Sequence, residues 1–215
     1  NRPIASGALK VRTARIAGAI ILLGVFAGAA WLTPLFAAIL VGYAGMNLAY
    51  SLRLKNLAFV DAGVIATGFL LRVLGGAVAI GVPISIWLMV CTFLLSLYLA
   101  LGKRKHELLT VGSEGRTREV LKHYRLEHVR VTMGVSAGMT AASYAAYTFD
   151  AATKAQFGTG WLPVTIPFIA YGLYRFYGIT QRADYGSPTE LMIRDVPFLV
   201  NIGLWAFLTV SLIYL

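Results

Sequence analysis

The chain contains seven long apolar stretches, at roughly 14–32, 34–51, 59–80, 84–102, 129–149, 161–179 and 196–215. An apolar helix of about 20 residues matches the hydrocarbon thickness of a bilayer. Only 13% of the residues are charged, whereas a soluble domain has about 25%. The sequence therefore predicts an all-α, polytopic transmembrane helix bundle with seven spans.

The connections between these stretches divide into a basic set and a nearly uncharged set. The basic set is 1–13, 52–58, 103–128 and 180–195, and the uncharged set lies around Thr33, around Gly81 and at 150–160. Of the 19 lysines and arginines, only Lys154 and Arg72 lie outside the basic connections and the adjoining helix ends. Because cytoplasmic loops are enriched in Lys and Arg, we expect the basic set and the N-terminus to face the cytoplasm.

The net charge of +10 has two explanations in such a protein, and both can hold. The first is membrane orientation, and the second is a site for phosphorylated substrates. Neither requires a nucleic acid. The segment 103–128 is the richest in cations, and arginine and lysine are both suited to binding phosphate. We therefore expect a phosphate site on the cytoplasmic side, with a solvated basic loop as the alternative.

Several polar residues within or beside the apolar stretches are candidates for an interior role. Asn47 and Tyr50 are three residues apart and share a helical face, and Asp61 and Arg72 are about three turns apart on nearly one face. A charge deep in a membrane normally faces the bundle interior or a wet cavity. We predict interior positions for Asn47, Asp61 and Arg72. Glu107 is four residues after Lys103, which allows either an ion pair with that lysine or a contact with a divalent ion.

No residue pattern points to a side-chain nucleophile. The single cysteine, Cys91, lies in an apolar stretch, and the three histidines lack the spacing of a zinc pair on a helix. The sequence also has no Walker-type loop.

Four stretches carry a family resemblance. They are "NRPIASGALKVRTA" at 1–14, "YSLRLKNLAFVDAGVIATGFLLRVLGGAVAIGVPIS" at 50–85, "LALGKRKHEL" at 99–108 and "GSPTELMIRDVP" at 186–197. In this order they resemble the decaprenyl-phosphate phosphoribosyltransferases, a branch of the UbiA-type membrane prenyltransferase superfamily. The resemblance covers essentially the whole chain, 1–215, as a single UbiA-type transmembrane domain.

The resemblance implies an enzyme of the plasma membrane with nine transmembrane helices and its active site on the cytoplasmic side. Such an enzyme transfers 5-phosphoribose from phosphoribosyl pyrophosphate to a polyprenyl (decaprenyl) phosphate, uses Mg²⁺, and supplies cell-wall arabinan synthesis. The lipid phosphate is then the nucleophile. The oligomeric state is left open, including a homo-oligomer.

The resemblance also predicts which residues act and which are absent. The substrate-phosphate site is expected to contain Arg2, Tyr50, Lys55, Lys103, Arg104, Arg118 and Lys122. The main aspartate motif of the superfamily, a metal site, is expected upstream of Asn1 together with two further helices. The second aspartate-rich motif is replaced here by "GKRKHEL", where Glu107 is the only carboxylate that can bind metal.

Two alternatives remain at this point. One is a UbiA-type aromatic prenyltransferase that uses a prenyl diphosphate, against which the missing second aspartate motif argues. The other is a membrane transporter, which would need charges within several spans or helices interrupted in matching halves. Arg72 is the only deep charge in the sequence.

Overall fold

A computed structural model of the protein describes residues 10–110, 119–181 and 188–215. These residues form helices and connections only, with no strand in the described ranges. The helices are α1 (Val11–Leu32), α2 (Pro34–Leu52), α3 (Val60–Ile80), α4 (Ile86–Thr110), α5 (Leu126–Phe149), α6 (Ala151–Phe157), α7 (Ile166–Ile179), α8 (Pro188–Arg194) and α9 (Val196–Tyr214). Short 3₁₀ turns lie at Leu54–Asn56, Glu119–His123 and Leu162–Thr165.

Each of the seven predicted apolar stretches overlaps one long helix, and the all-α membrane bundle is confirmed. Five helices of the described chain, α1 to α4 and α9, are long and apolar enough to cross a membrane. Helix α5 is long but carries Glu127 and Arg130 near its start, and α7 has 14 residues preceded by a 3₁₀ turn. The crossing of the bilayer by α5 and α7, and hence the count of seven spans, stays a prediction.

The helix boundaries follow local signals in the sequence. Helix α2 begins at Pro34, and the Thr33 hydroxyl accepts a hydrogen bond of 3.1 Å from the backbone N–H of Phe36, which satisfies one N–H that has no partner within the helix. Helix α3 ends at Gly81, whose φ of +68° is the left-handed conformation that glycine adopts at helix ends.

One boundary differs in a way that matters for the site. The predicted fourth stretch ended at 102, whereas α4 continues to Thr110. The extra two turns are stabilised by buried polar contacts that hydropathy does not reveal, and they place the segment 103–107 on a rigid helix.

The buried core lies toward one end of the bundle. Tyr98 and Leu101 of α4, Val129 and Met133 of α5, and Phe176 of α7 are at most 2% exposed. Other apolar side chains are exposed, such as Leu23 and Trp31 of α1, as expected of helices that contact lipid. The end with the core is also the end where the basic connections meet.

Candidate active site

A buried ion-pair network joins the first turn of α3 to the last turns of α4. Asp61, which is fully buried, accepts a hydrogen bond from Nε of Arg104 through its Oδ2 atom at 2.6 Å. Arg104 is itself only 2% exposed. Since an isolated buried charge is very unfavourable, each of these residues depends on the other. The N-terminal end of the α3 dipole also favours an anion at Asp61.

The guanidinium of Arg104 also binds Glu107. Nη1 of Arg104 donates to Oε2 of Glu107 at 2.6 Å. The ion pair of Glu107 in the described structure is therefore with Arg104, three residues away, and not with Lys103, the partner that the spacing allowed. The Glu107 side chain is 24% exposed, so its carboxylate lies at the edge of the network and faces the surrounding space.

Tyr124 attaches the connection between α4 and α5 to this network. Its hydroxyl donates to Oδ1 of Asp61 and accepts a 2.8 Å hydrogen bond from the backbone N–H of Phe59. Burial, and then the hydrogen bond to Asp61, raise the pKa of Tyr124 above its usual value. The hydroxyl therefore stays protonated and remains a donor at neutral pH.

Three of the predicted phosphate-binding residues, Lys55, Lys103 and Lys122, are exposed at this end of the bundle. The turn that carries Lys55 contacts α2, α3 and the turn that carries Lys122, and the Lys122 turn contacts α4. Tyr50 is half-buried at the end of α2. Arg2 and Arg118 lie outside the described residues.

The structure revises the prediction for Arg104. A direct phosphate contact is disfavoured because its guanidinium is already paired with two carboxylates and is almost fully buried. Lys103, one residue earlier on α4, is the cation of this segment that is accessible to a substrate.

Asp61 is fully buried, whereas Asn47 and Arg72 are exposed in the described bundle, and the interior role of these residues stays a prediction. Arg72 donates from Nη2 to the Tyr43 hydroxyl at 2.5 Å and lies 5.0 Å from the Phe69 ring centroid. The eleven-residue spacing relates Arg72 to Asp61 along α3 but carries no information on which neighbouring helix covers each turn.

Two further charged contacts were missed by the sequence analysis. Lys105 is fully buried, with Nζ 3.3 Å from Oγ1 of Thr180 and 3.6 Å from the Tyr177 ring centroid. Asp195 accepts two 2.9 Å hydrogen bonds from Arg175 and one from the N–H of Phe198. The sequence Asp-Val-Pro at 195–197 is a helix-start pattern and was the available signal for Asp195. No local signal marked Lys105.

An apolar cavity of about 390 Å³ lies between α4, α5, α7 and α9. Its walls include Leu88, Leu95 and Leu99 of α4, Phe168 and Leu173 of α7, and Ile202 and Trp205 of α9. At the end far from the basic connections, Trp205 donates to the Tyr144 hydroxyl at 3.0 Å, which is 2.7 Å from Oγ1 of Thr165. The polar atoms of that wall are thus satisfied, and the cavity suits an apolar ligand.

The cavity and the charged network lie next to each other along α4. Leu99 lines the cavity, and Lys103 follows it by four residues, or about 6 Å along the helix. Both residues project from neighbouring positions on the helix surface because four residues make roughly one turn. An apolar cavity that ends beside a cation is the arrangement expected for a lipid with an anionic head group.

The residues described do not form a complete metal centre. No group of three or more His, Cys, Asp or Glu side chains comes together in the ranges that the structure covers. Glu107 alone offers a partly exposed carboxylate here. Since Mg²⁺ is often held by one or two carboxylates plus substrate phosphates, this part of the chain fits the role of contributing one ligand and no more.

The fold and the site together define a membrane-embedded helical protein with a charged site at the end of an apolar cavity. The chain belongs to the UbiA prenyltransferase family, whose model matches residues 1–208.

The chain is similar to several proteins named decaprenyl-phosphate phosphoribosyltransferase. One from Corynebacterium glutamicum is 27% identical over 218 residues, covering 100% of this chain and 65% of the relative. One from Mycobacterium tuberculosis is 30% identical over 197 residues, covering 90% of this chain and 64% of the relative. One from Mycolicibacterium smegmatis is 28% identical, covering 94% and 67%. The chain therefore spans about two thirds of the length of these relatives.

Proposed function

We propose that this protein transfers 5-phosphoribose from phosphoribosyl pyrophosphate to a polyprenyl phosphate and releases pyrophosphate. The observation that carries the proposal is the apolar cavity that ends one helical turn from Lys103. The names of the relatives agree with this choice of substrates. More specifically, we propose that the lipid is decaprenyl phosphate and that the product supplies cell-wall arabinan synthesis.

The cavity is assigned to the isoprenoid tail of the lipid substrate. Its lining surface is almost entirely apolar, and burial of hydrocarbon there is favourable by about 25 cal/mol per Å² of apolar surface. Leu88, Leu95 and Ile202 are all more than one third exposed, so the cavity has an opening between α4 and α9 through which a long tail can continue into the bilayer.

The head groups of both substrates are assigned to the cationic end of the bundle. Lys103, Lys55 and Lys122 supply positive charge from α4 and the two turns. In the reaction, an oxygen of the lipid phosphate forms a bond with the anomeric carbon while the bond from that carbon to pyrophosphate breaks. Cations near the leaving pyrophosphate stabilise the charge that it acquires.

Magnesium, when bound, would neutralise the pyrophosphate and hold it in position. Of the described residues, Glu107 is the one assigned to this ion. No protein nucleophile is assigned, because the lipid phosphate already carries the attacking oxygen. We assign the site to the cytoplasmic face of the plasma membrane from the distribution of Lys and Arg. The protein can act alone or as a homo-oligomer in this scheme.

The direct test is transfer of radiolabel from phosphoribosyl pyrophosphate to polyprenyl phosphate in membranes that contain the full-length protein. We expect a labelled lipid to form only when both substrates are present. Transfer of a prenyl group from a prenyl diphosphate to an aromatic acceptor, with no phosphoribosylated lipid, would refute the proposal and support the aromatic prenyltransferase. Solute flux in vesicles without either transfer would support the transporter.

A further inference from the structure

We propose that Asp61 and Tyr124 are positioning residues of the phosphate site, which act through Arg104 to fix Glu107 and which hold the turn carrying Lys122 against α4. The identity of the ligand rests on the proposed function, whereas the linkage itself rests on contacts in the described structure. Neither Asp61 nor Tyr124 is accessible to a substrate, since they are 0% and 6% exposed.

Asp61 connects two separate parts of the chain through its two oxygens. Oδ2 binds Arg104 of α4 at 2.6 Å, and Oδ1 binds the hydroxyl of Tyr124. Both contacts are buried, where a hydrogen bond to a charged group contributes more to stability than one at the surface. Loss of the Asp61 charge would therefore release both Arg104 and Tyr124.

Arg104 transmits the position of Asp61 to Glu107. The guanidinium is planar, so fixing Nε at Asp61 also fixes the direction in which Nη1 points to Glu107. The three side chains carry two negative charges and one positive charge. Glu107 is the more exposed of the two carboxylates, so the excess negative charge is presented on the side where Lys103 and the substrate space lie.

Tyr124 holds the connection between α4 and α5 in place. Besides the contact with Asp61, its ring lies 4.8 Å from the ring of Phe59, centroid to centroid. Phe59 has a φ of +64°, an unfavourable backbone conformation for a bulky residue. The hydrogen bond from the Phe59 N–H to Tyr124 and the contact between the two rings stabilise Phe59 in this unfavourable conformation.

The placement of Lys122 follows from the position of Tyr124. Lys122 is exposed and lies two residues earlier, in the 3₁₀ turn Glu119–His123. That turn packs on α4 and on the turn that carries Lys55. The linkage at Tyr124 thus keeps cations from three separate segments at one end of the bundle.

The first part of the test measures the linkage without any substrate. Amide hydrogen exchange across 119–125 is compared among the full-length wild type, Tyr124→Phe and, as a matched control, Tyr214→Phe, whose side chain is 81% exposed. Removing a hydrogen bond to a buried carboxylate should increase exchange in 119–125 about tenfold or more, and the control should leave it unchanged. Unchanged exchange in Tyr124→Phe would overturn the linkage.

The second part tests whether the linkage acts on the site. Asp61→Asn and Glu107→Gln are made singly and together, and the concentration of phosphoribosyl pyrophosphate for half-maximal thermal stabilisation is measured along with KM and kcat. If Asp61 acts through Arg104 and Glu107, the single variant Asp61→Asn should need a severalfold higher concentration of phosphoribosyl pyrophosphate for half-maximal stabilisation than the wild type. Adding Asp61→Asn to Glu107→Gln should then raise this concentration little further. If the effects of the two single substitutions instead multiply in the double variant, Asp61 has only a general structural role.

The two parts separate the possible failures. If the wild type neither binds nor uses phosphoribosyl pyrophosphate, the proposed function fails, and the exchange measurement still decides whether Tyr124 and Asp61 hold the turn. If Asp61→Asn does not fold, the same cycle is run with Tyr124→Phe, which keeps the ring contact with Phe59. Its effect on substrate binding then supports or overturns the positioning role.

Discussion

Gly102 of α4 packs directly against the ring of Phe176 in α7, and a methyl group at Gly102 would lie 2.5 Å from the Phe176 Cε1 atom. Phe176 is 2% exposed and its ring also packs on Tyr98 at a centroid distance of 5.3 Å, so it has little room to move. The close approach brings α7 against α4 one residue before Lys103.

We predict that Gly102→Ala destabilises the protein by about 1–3 kcal/mol, the usual effect of overpacking a core. The measurement is thermal unfolding of the purified protein in detergent. Gly134→Ala is the matched control, because a methyl group there would meet nothing within 4 Å. A transition temperature in Gly102→Ala equal to that of the control would contradict the packing.

The second prediction concerns membrane orientation, which rests on the distribution of Lys and Arg. Lys122→Cys and Gln156→Cys are each introduced into a Cys91→Ser background, since Cys91 is the only native cysteine. Both positions are exposed. We expect an impermeant thiol reagent to label residue 122 from the cytoplasmic side and residue 156 from the other side. Labelling of both from one side would exclude the proposed topology.

The sequence could predict the parts of the fold that depend on neighbouring residues, and it could not predict the parts that depend on contacts between distant residues. Hydropathy averages over about 20 residues, so it identified all seven apolar stretches that became helices. It did not identify the end of α4, because the turns that carry Arg104 and Glu107 are stabilised by contacts with Asp61, 43 residues away in sequence.

The site was predicted less completely for the same reason. The spacing and charge of 103–107 indicated a charged cluster, and the cluster exists. Spacing could not tell that Arg104 is buried while Lys103 is exposed, since that depends on which side of α4 meets α3. Tyr124 had no sequence signal, because its role arises only where the connection folds back onto Asp61.

The third prediction tests the assignment of the apolar cavity to the lipid tail. Ile202 lines the cavity and is 42% exposed, whereas Leu204 on the same helix is 51% exposed and does not line it. Ile202→Trp should fill part of the space and raise KM for polyprenyl phosphate severalfold, with KM for phosphoribosyl pyrophosphate unchanged. Leu204→Trp is the control for the added ring. Equal effects of the two variants on the lipid KM would argue against the assignment.

The fourth prediction concerns the exposed lysines at the cationic end. A hydrogen bond from a charged donor contributes about 1.5–3 kcal/mol, and 1.4 kcal/mol corresponds to a tenfold change. Lys103→Ala and Lys55→Ala should therefore each reduce kcat/KM for phosphoribosyl pyrophosphate about tenfold or more. Lys10→Ala, exposed before the start of α1, should have little effect. Equal and small losses in all three variants would indicate a solvated basic surface instead of a phosphate site.

The last prediction concerns the role of Glu107, which has two distinct possibilities in this geometry. Its Oε2 atom accepts a hydrogen bond from Arg104, and a glutamine amide oxygen can accept the same bond. Glu107→Gln therefore preserves the contact with Arg104 and removes one negative charge from the most exposed part of the network.

If the carboxylate helps to hold Mg²⁺ between the protein and the substrate phosphates, the magnesium concentration for half-maximal activity should rise several fold in Glu107→Gln. The measurement is a magnesium titration of the full-length enzyme at saturating phosphoribosyl pyrophosphate. Glu127→Gln is the control, since Glu127 is an exposed carboxylate in the first turn of α5. A Glu107→Gln enzyme with unchanged magnesium dependence and reduced kcat would assign Glu107 to the support of Arg104 alone, because loss of a metal ligand must appear in the metal titration.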